Sequence, residues 1–345
     1  MPNIYRVSVG RVATFFSAAL VAATLLAAGL PSSVDAAEAT PFKVGISTVV
    51  DTVTALWVAQ DEGFFKKNNL DVQIVNMNGG SRGTQVLISG DIQAMHVGLS
   101  PVVLANKQGA DLRLILSSTN TIPFTIFSPK NITTGAQLKG GKVGISAFSS
   151  ESDIAVTIAL KKLGLTRNDV TVLQLGGSSQ RLAALTSGQV QAVPLPEPVA
   201  SRARAQGLNP IVDLAAAHEP WVFDAVVVQE KYLKEHRDVV VRFSKAYIEG
   251  AYFALSNEKR TKEILGKEFK TTNAQVIDAS YNDFKQLMPL DAAPSREGAK
   301  SVIEQLEAAG KSVGSKNVAD YIDDSVIAQL KKEGFFDALK KKYHL

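Results

Sequence analysis

The string KVGIST at residues 43–48 returns almost unchanged as KVGISA at residues 142–147, and this repetition constrains the fold more than any other feature. The strings that follow also correspond, GGSRGTQVLISGDIQA at 79–94 and GGSSQRLAALTSGQVQA at 176–192. The separation is 97 to 99 positions at three landmarks, which are the pairs Ser47/Ser146, Gly80/Gly177 and Gly90/Gly188. So constant an offset indicates that one architectural unit is present twice.

Each unit predicts the same order of elements. An apolar β-rich run is followed by a helix, a second strand, a GGS turn that opens a helix, and a third strand. Strands that alternate with helices are typical of βαβ units and a parallel sheet. From Arg237 onward the pattern is mostly helical, and Ser295 is a predicted helix start. We therefore expect an α/β protein with two lobes and a helical tail that packs back on one of them.

The first 36 residues have the order of a secretory signal. Arg6 and Arg11 precede an Ala-rich apolar run from Ala13 to Leu30, and a helix-breaking PSS leads to small residues that end at Ala36. This order predicts export to a periplasm and cleavage near Ala36. The alternative is an uncleaved membrane anchor, because the run is about long enough to span a bilayer.

Charge and composition exclude several classes of function. Without residues 1–36, which contain two arginines and one aspartate, the formal net charge falls from +4 to +3. No basic cluster is present, so the sequence does not support nucleic-acid binding. The chain has no cysteine, which excludes disulfides and thiolate nucleophiles. We expect a monomer that needs no cofactor.

Small hydroxyl and glycine residues recur where the predicted strands end. Ligands of open parallel sheets bind beyond the carboxyl ends of the strands, and free N–H groups at helix starts favour anions. Serine and glycine are also ordinary turn and cap residues, so each one alone has that simpler interpretation. The recurrence at equivalent places favours a shared cleft. The residues are Ser47, Thr48, Gly79, Gly80, Ser81, Leu99, Ser100, Ser146, Ser149, Ser150, Gly176, Gly177, Ser178 and Ser179.

Three charged residues are further candidates. Arg82 and Arg181 follow the two GGS turns, where an arginine clamps a carboxylate or sulfonate or is simply solvated. Glu197, between two prolines, accepts hydrogen bonds from a ligand or caps a neighbouring helix. Catalysis finds little support, since the four histidines lack metal-binding spacing and no GxSxG motif is present. His96 follows an apolar strand, as core histidines do. We expect neither a metal site nor an enzyme.

The chain resembles the substrate-binding proteins of nitrate, sulfonate and taurine ABC importers. The resemblance covers about Pro41 to Leu255, and five strings carry it in this order. They are LWVAQDEGFFKKNNLDVQIV, LISGDIQAMHVGLSPVVLANKQGADLRLI, LKGGKVGIS, ALKKLGL and AALTSGQVQAVPLPEP. The chain departs from the family's common pattern at Gln93 and Gln191, where the family has aspartate, and at Leu195-Pro196, where it has an aromatic residue.

The resemblance implies a type II periplasmic-binding fold whose two lobes close on the ligand. Lobe one would comprise residues 41–125 and 223–345, lobe two residues 126–222, with crossings at TIPFTIFS and VFDAVVVQ. It also implies a small organic anion as ligand, and an ABC permease with its ATPase as partners. The implied contact residues are Ser47, Thr48, Gly80, Ser81, Ser100, Ser146, Phe148, Ser149, Gly177, Ser178, Glu197 and Trp221, with Arg82 or Arg181 as anion clamp.

Two other functions stay open at this point. The first is an enzyme on the same fold, although the related enzymes depend on cysteine or are cytoplasmic. The second is a ligand-loaded sensor partner, which would use the same cleft but dock on a receptor.

Overall fold

The structure is a computed structural model that describes residues 38–345. The predicted signal segment at residues 1–36 lies outside the described residues. The strands are β1 (Thr40–Ile46), β2 (Leu70–Asn76), β3 (Ala94–Val97), β4 (Leu112–Thr121), β5 (Thr125–Ser128), β6 (Lys142–Ile145), β7 (Thr171–Gln174), β8 (Val193–Leu195), β9 (Asn209–Asp213) and β10 (Pro220–Gln229).

Helices connect these strands and form the C-terminal part of the chain. They are α1 (Thr54–Asp61), α2 (Phe64–Lys67), α3 (Gly80–Ser89), α4 (Leu99–Lys107), α5 (Gly135–Leu138), α6 (Glu151–Lys162), α7 (Ser178–Thr186), α8 (Val199–Ala205), α9 (Glu230–Glu235), α10 (Arg237–Ser256), α11 (Glu258–Glu268), α12 (Ala274–Leu287), α13 (Arg296–Ala308), α14 (Ser325–Lys332) and α15 (Phe335–Tyr343). The predicted helix start at Ser295 is confirmed, because its side chain caps α13 by accepting from Gly298 N at 2.9 Å.

The first lobe is built on a five-stranded sheet with the order β2-β1-β3-β10-β4. Strand β1 pairs in parallel with β2 and β3, and β10 is antiparallel to both β3 and β4. The run Ala225–Val228 in β10 is buried throughout. Both faces of this sheet are covered by helices, which is why its central strands are continuously apolar instead of alternating.

The second lobe repeats this arrangement. Strand β6 pairs in parallel with β7, and β5 pairs antiparallel with β8 and β9. An isolated bridge between Val143 and Ala192 connects the two groups, so the order is β7-β6-β8-β5-β9. The corresponding pair in the first lobe is Val44 with Ala94. The repeat predicted from sequence is therefore confirmed down to the register of the strands, and the α/β fold class with it.

The two glutamines that depart from the family pattern have matching structural roles. The side-chain Oε1 of Gln93 accepts a hydrogen bond from Lys43 N at 2.7 Å, and that of Gln191 accepts one from Lys142 N at 2.8 Å. Each glutamine thus holds the first residues of the central strand of its lobe. An amide oxygen serves this purpose as a carboxylate would, because the donor is a neutral backbone N–H.

The C-terminal helices pack on the first lobe, as predicted. Helix α10 lies against α1 and α2, α13 lies on β10, and α14 contacts β4. Stacked Phe42, Phe65 and Phe243 fill the space between this sheet and α10. Among residues 38–345, no helix combines the length and the apolar character that crossing a membrane requires.

The chain passes between the two sheets at residues 122–124 and again at residues 214–219. The first passage lies within the predicted crossing TIPFTIFS, whereas the second precedes VFDAVVVQ. Strand β10 pairs with β4 from Pro220 onward. The exact division of the chain into lobes stays a prediction.

Candidate ligand-binding site

A cavity lies where the ends of the strands of both lobes meet. Its volume is about 50 Å³, and it is called the cleft cavity below. Eight residues singled out from the sequence line it, which are Ser47, Thr48, Gly79, Gly80, Ser146, Ser150, Gly177 and Arg181. Contributions from both copies of the repeat thus converge on one space, as the topology of parallel sheets leads one to expect.

Helices α3 and α7 begin at the cleft cavity without a side-chain cap. Their first residues, Gly80 and Ser178, belong to the two GGS turns. Gly80 lies close to the rest of the wall, because a Cβ atom there would be 3.0 Å from Val97. Uncapped N–H groups and the helix dipole make both helix starts favourable for a negative charge.

The helix starts next to two other predicted contact residues, Ser100 and Ser149, are already satisfied. In α6 the Ser150 side chain accepts from Asp153 N. In α4 the backbone N–H of Ser100 donates to the carboxylate of Glu151 at 2.7 Å. An external anion therefore finds free N–H groups at α3 and α7.

Arg181 is buried at the wall of the cleft cavity with 2% of its surface exposed. Its Nε and Nη1 donate to the backbone carbonyls of Pro194 and Gly176 at 3.0 and 2.9 Å. Burial lowers the pKa of Arg181 to about 9, and no carboxylate contributes to this value. The guanidinium is thus a cation at neutral pH whose neighbours are neutral, a costly arrangement unless an anion completes it.

Arg82, the other arginine after a GGS turn, is exposed on α3 and lies outside the lining of the cleft cavity. The two arginines differ because they occupy different positions in their helices. With an offset of 97, Arg82 corresponds to the exposed Ser179, and Arg181 corresponds to the buried Thr84. The two arginines thus sit two positions apart in equivalent helices, which is a rotation of about 200°, so Arg181 points inward and Arg82 outward.

Two acidic residues that were not predicted from the sequence also line the cleft cavity, Glu151 and Asp224. Asp224 accepts from Thr52 Oγ1 at 2.5 Å, and its other oxygen lies 3.6 Å from His96 Nδ1. The signals were present, since Asp224 is a lone charge in an apolar strand and Glu151 follows the Ser149-Ser150 turn. The cavity thus has a cationic wall at Arg181 and an acidic wall, to which the first lobe contributes Asp224 and the second lobe Glu151.

His96 is fully buried, and its Nε2 lies 3.1 Å from Ser118 Oγ. Ser118, His96 and Asp224 form a row that resembles a catalytic arrangement. However, the cleft cavity reaches only Asp224, and the Ser118 hydroxyl also lies within hydrogen-bond distance of the Asp224 carbonyl at 3.2 Å. The row therefore positions the Asp224 carboxylate. Among residues 38–345, no group of three or more histidine and acidic side chains is placed to hold a metal ion.

The remaining predicted residues lie around the cavity. Ser178 contacts Thr48 across the cleft, with their oxygens 3.4 Å apart. Ser81 Oγ donates to the carbonyl of Phe148, whose side chain is 47% exposed. The backbone N–H of Ser149 donates to Asp153. The Thr48–Ser178 and Ser81–Phe148 contacts tie the two lobes together at the rim, whereas the Ser149 contact lies within the second lobe.

Glu197 and Trp221 have protein partners. Glu197 accepts from Ser201 N at 3.0 Å and from Arg204 at 2.6 Å, so it caps α8. Capping a helix is the second of the two roles predicted for Glu197 from the sequence. Trp221 Nε1 donates to Glu151 at 2.7 Å. Neither residue lines the cleft cavity.

The family model described as NMT1/THI5 like matches residues 51–261. The chain belongs to the NMT1/THI5-like family. This confirms the resemblance that the repeated strings indicated. A Bacillus subtilis relative, YtlA, named as a binding protein, is 25% identical over 258 residues, which are 72% of this chain and 77% of YtlA.

Solved structures show which fold this NMT1/THI5-like chain has. The alkanesulfonate-binding protein SsuA from Xanthomonas axonopodis pv. citri, bound to MOPS, superimposes with a TM-score of 0.70 at 18% identity, covering 84% of this chain and 100% of SsuA. The periplasmic nitrate-binding protein NrtA from Synechocystis PCC 6803 gives 0.74 at 14% identity, covering 86% and 89%. The chain has the two-lobed fold of periplasmic binding proteins.

Proposed function

We propose that this protein is the solute-binding component of an ABC importer. It captures a small organic anion, a carboxylate or a sulfonate, in the cleft cavity and delivers it to a membrane permease driven by an ATPase. The family and the fold support this class of function. The names of SsuA and NrtA, which describe proteins that bind sulfonates and nitrate, favour an anionic ligand.

The observation that carries the proposal is the Arg181 guanidinium. It is buried at the cavity wall. The hydrogen bonds that it donates within residues 38–345 go to neutral backbone carbonyls. A hydrogen bond between charged groups stabilises a complex by about 1.5–3 kcal/mol. The uncapped starts of α3 and α7 each add a few tenths to about 1 kcal/mol for a negative charge.

The volume of the cavity limits the size of the ligand. A single water needs roughly 10–15 Å³ of such space. The observed 50 Å³ therefore holds an anion of a few heavy atoms. Asp224 at the opposite wall accepts hydrogen bonds, so a ligand with a hydroxyl or amine donor at its other end matches both walls.

Calorimetric titration with matched pairs tests the proposed function. Acetate is compared with acetamide, and methanesulfonate with methanesulfonamide, because each pair differs mainly in charge. We expect the anions to bind and their neutral amides to bind about tenfold more weakly or not at all. Equal affinity within both pairs would contradict the anion assignment.

We place the protein in the periplasm, with the signal removed near Ala36. The order of positive, apolar and small residues in the first 36 positions supports this location. The intact mass of the exported protein is expected to lack about 36 residues. Full-length protein retained in the membrane fraction would instead indicate an anchor.

A further inference from the structure

A glutamate of the second lobe reaches into the first lobe at the cleft. Glu151 is the first residue of α6, yet its Oε1 accepts from Ser100 N of α4 at 2.7 Å. Its Oε2 accepts from Trp221 Nε1 in β10, also at 2.7 Å. Both oxygens therefore face N–H donors, which is the environment that a bound carboxylate ligand requires.

The start of α4 is shaped around this carboxylate. A Cβ atom on Gly98 would lie 2.4 Å from Cγ of Glu151, so glycine is needed for the side chain to enter. The hydroxyl of Ser100 is fully buried and has no hydrogen-bond partner among the described residues. The N-terminus of α4 is thus shaped as an anion-binding position, and the Glu151 carboxylate occupies it.

We propose that Glu151 occupies this anion position from within the protein and thereby restricts the cleft cavity to ligands with a single anionic group. The inference rests on the proposed function, because it narrows the ligand class of the same cavity. Arg181 and the starts of α3 and α7 remain for one external negative charge. A second negative group on the ligand would meet Glu151 and Asp224, both of which line the cavity, and like charges in contact repel strongly.

The first test removes the Glu151 carboxylate and supplies acetate in its place. Glu151→Ala is titrated with acetate at about pH 8 by calorimetry, and Trp221 emission is followed. We expect the variant to bind one more acetate ion than the wild type, at Ser100 N and Trp221 Nε1. An equal number of bound acetate ions in both proteins would overturn the inference.

A matched control variant and the number of acetate ions bound distinguish a failure of this inference from a failure of the proposed function. Glu297→Ala truncates an exposed glutamate in the first turn of α13 and is expected to bind as many acetate ions as the wild type. If the wild type binds no anion but Glu151→Ala binds one acetate, the proposed function fails while the anion position at α4 stands.

A second variant keeps the shape of the side chain, in case truncation prevents folding. Glu151→Gln removes the negative charge that faces the ligand. The affinity for malonate divided by that for acetate is expected to rise about tenfold or more relative to the wild type. An unchanged ratio would show that Glu151 does not select against a second charge.

Discussion

The side-chain oxygens of Thr48 and Ser178 lie 3.4 Å apart, although the residues are separated by 130 positions in the chain. Thr48 follows β1 of the first lobe, and Ser178 opens α7 of the second. Their contact brings the end of a central strand next to an uncapped helix start. A ligand at this place would touch both lobes, so its binding energy would favour their closure.

Replacing Arg181 tests the source of anion affinity. Arg181→Met keeps much of the side-chain volume but removes the charge from the cavity wall. The loss of about 1.5–3 kcal/mol corresponds to methanesulfonate binding roughly 10–150-fold more weakly, as measured by calorimetry.

Arg82→Met is the matched control, because Arg82 follows the equivalent turn but is exposed. We expect it to change the affinity by less than about threefold. A larger loss for Arg82→Met than for Arg181→Met would move the anion to the outer face of α3.

Stability is expected to depend on pH through Glu151. Burial raises its pKa from 4.5 to about 7, and hydrogen bonds from Trp221 and Ser100 offset part of this increase. The folded protein then binds the proton more tightly than the unfolded chain. This tighter proton binding adds about 3 kcal/mol to the free energy of unfolding. The addition is fully present below pH 4.5 and is lost as the pH rises through 7.

Urea unfolding between pH 4.5 and 8 measures this dependence. The free energy of unfolding of the wild type is expected to fall across this range, and that of Glu151→Gln to fall by about 3 kcal/mol less. The charge of Asp224 also faces Glu151 and is present in both proteins. Identical slopes would mean that Glu151 titrates normally in the folded state.

Asp51 is a second buried acid, with different surroundings. Neither of its oxygens has a hydrogen-bond partner among the described residues, and it is fully buried. Burial and the neighbouring Asp283 carboxyl raise the pKa of Asp51, and burial raises that of Asp283. Because both acids are disfavoured as anions, Asp51→Asn is expected to stabilise the protein at pH 8 by about 1–3 kcal/mol.

Thermal or urea unfolding at pH 8 measures this gain. Asp61→Asn serves as the control, since Asp61 accepts from Lys267 Nζ at 2.8 Å near the surface. That substitution is expected to cost up to about 1 kcal/mol. Destabilisation by Asp51→Asn would show that the charge of Asp51 is needed in the fold.

The repeat made much of the fold predictable. The offset of 97 to 99 positions predicted two equivalent units, and the bridges Val44–Ala94 and Val143–Ala192 show them in the same register. Turn residues such as Gly80 and Gly177 were found for the same reason. The positions of these turn glycines follow from the local sequence around them, which both copies of the repeat share.

Contacts between the lobes could not be predicted in this way. Glu151 meets Ser100 only because of how the two lobes are placed, which no local pattern encodes. Glu197 differs, because its partners Ser201 and Arg204 are local and its helix-capping role was one of the two predicted from sequence. The choice between Arg82 and Arg181 depended on a difference of two positions within the helix.

The distance between α3 and α7 reports directly on whether an anion closes the two lobes. The chain lacks cysteine, so spin labels can be attached at Gln85→Cys and Ala183→Cys, which are exposed positions of α3 and α7. We expect methanesulfonate to shift the distance distribution to one shorter, narrower peak, and methanesulfonamide to leave it unchanged. A distribution that is the same with saturating methanesulfonate as without it, or that responds equally to the neutral amide, would contradict capture of an anion between closing lobes.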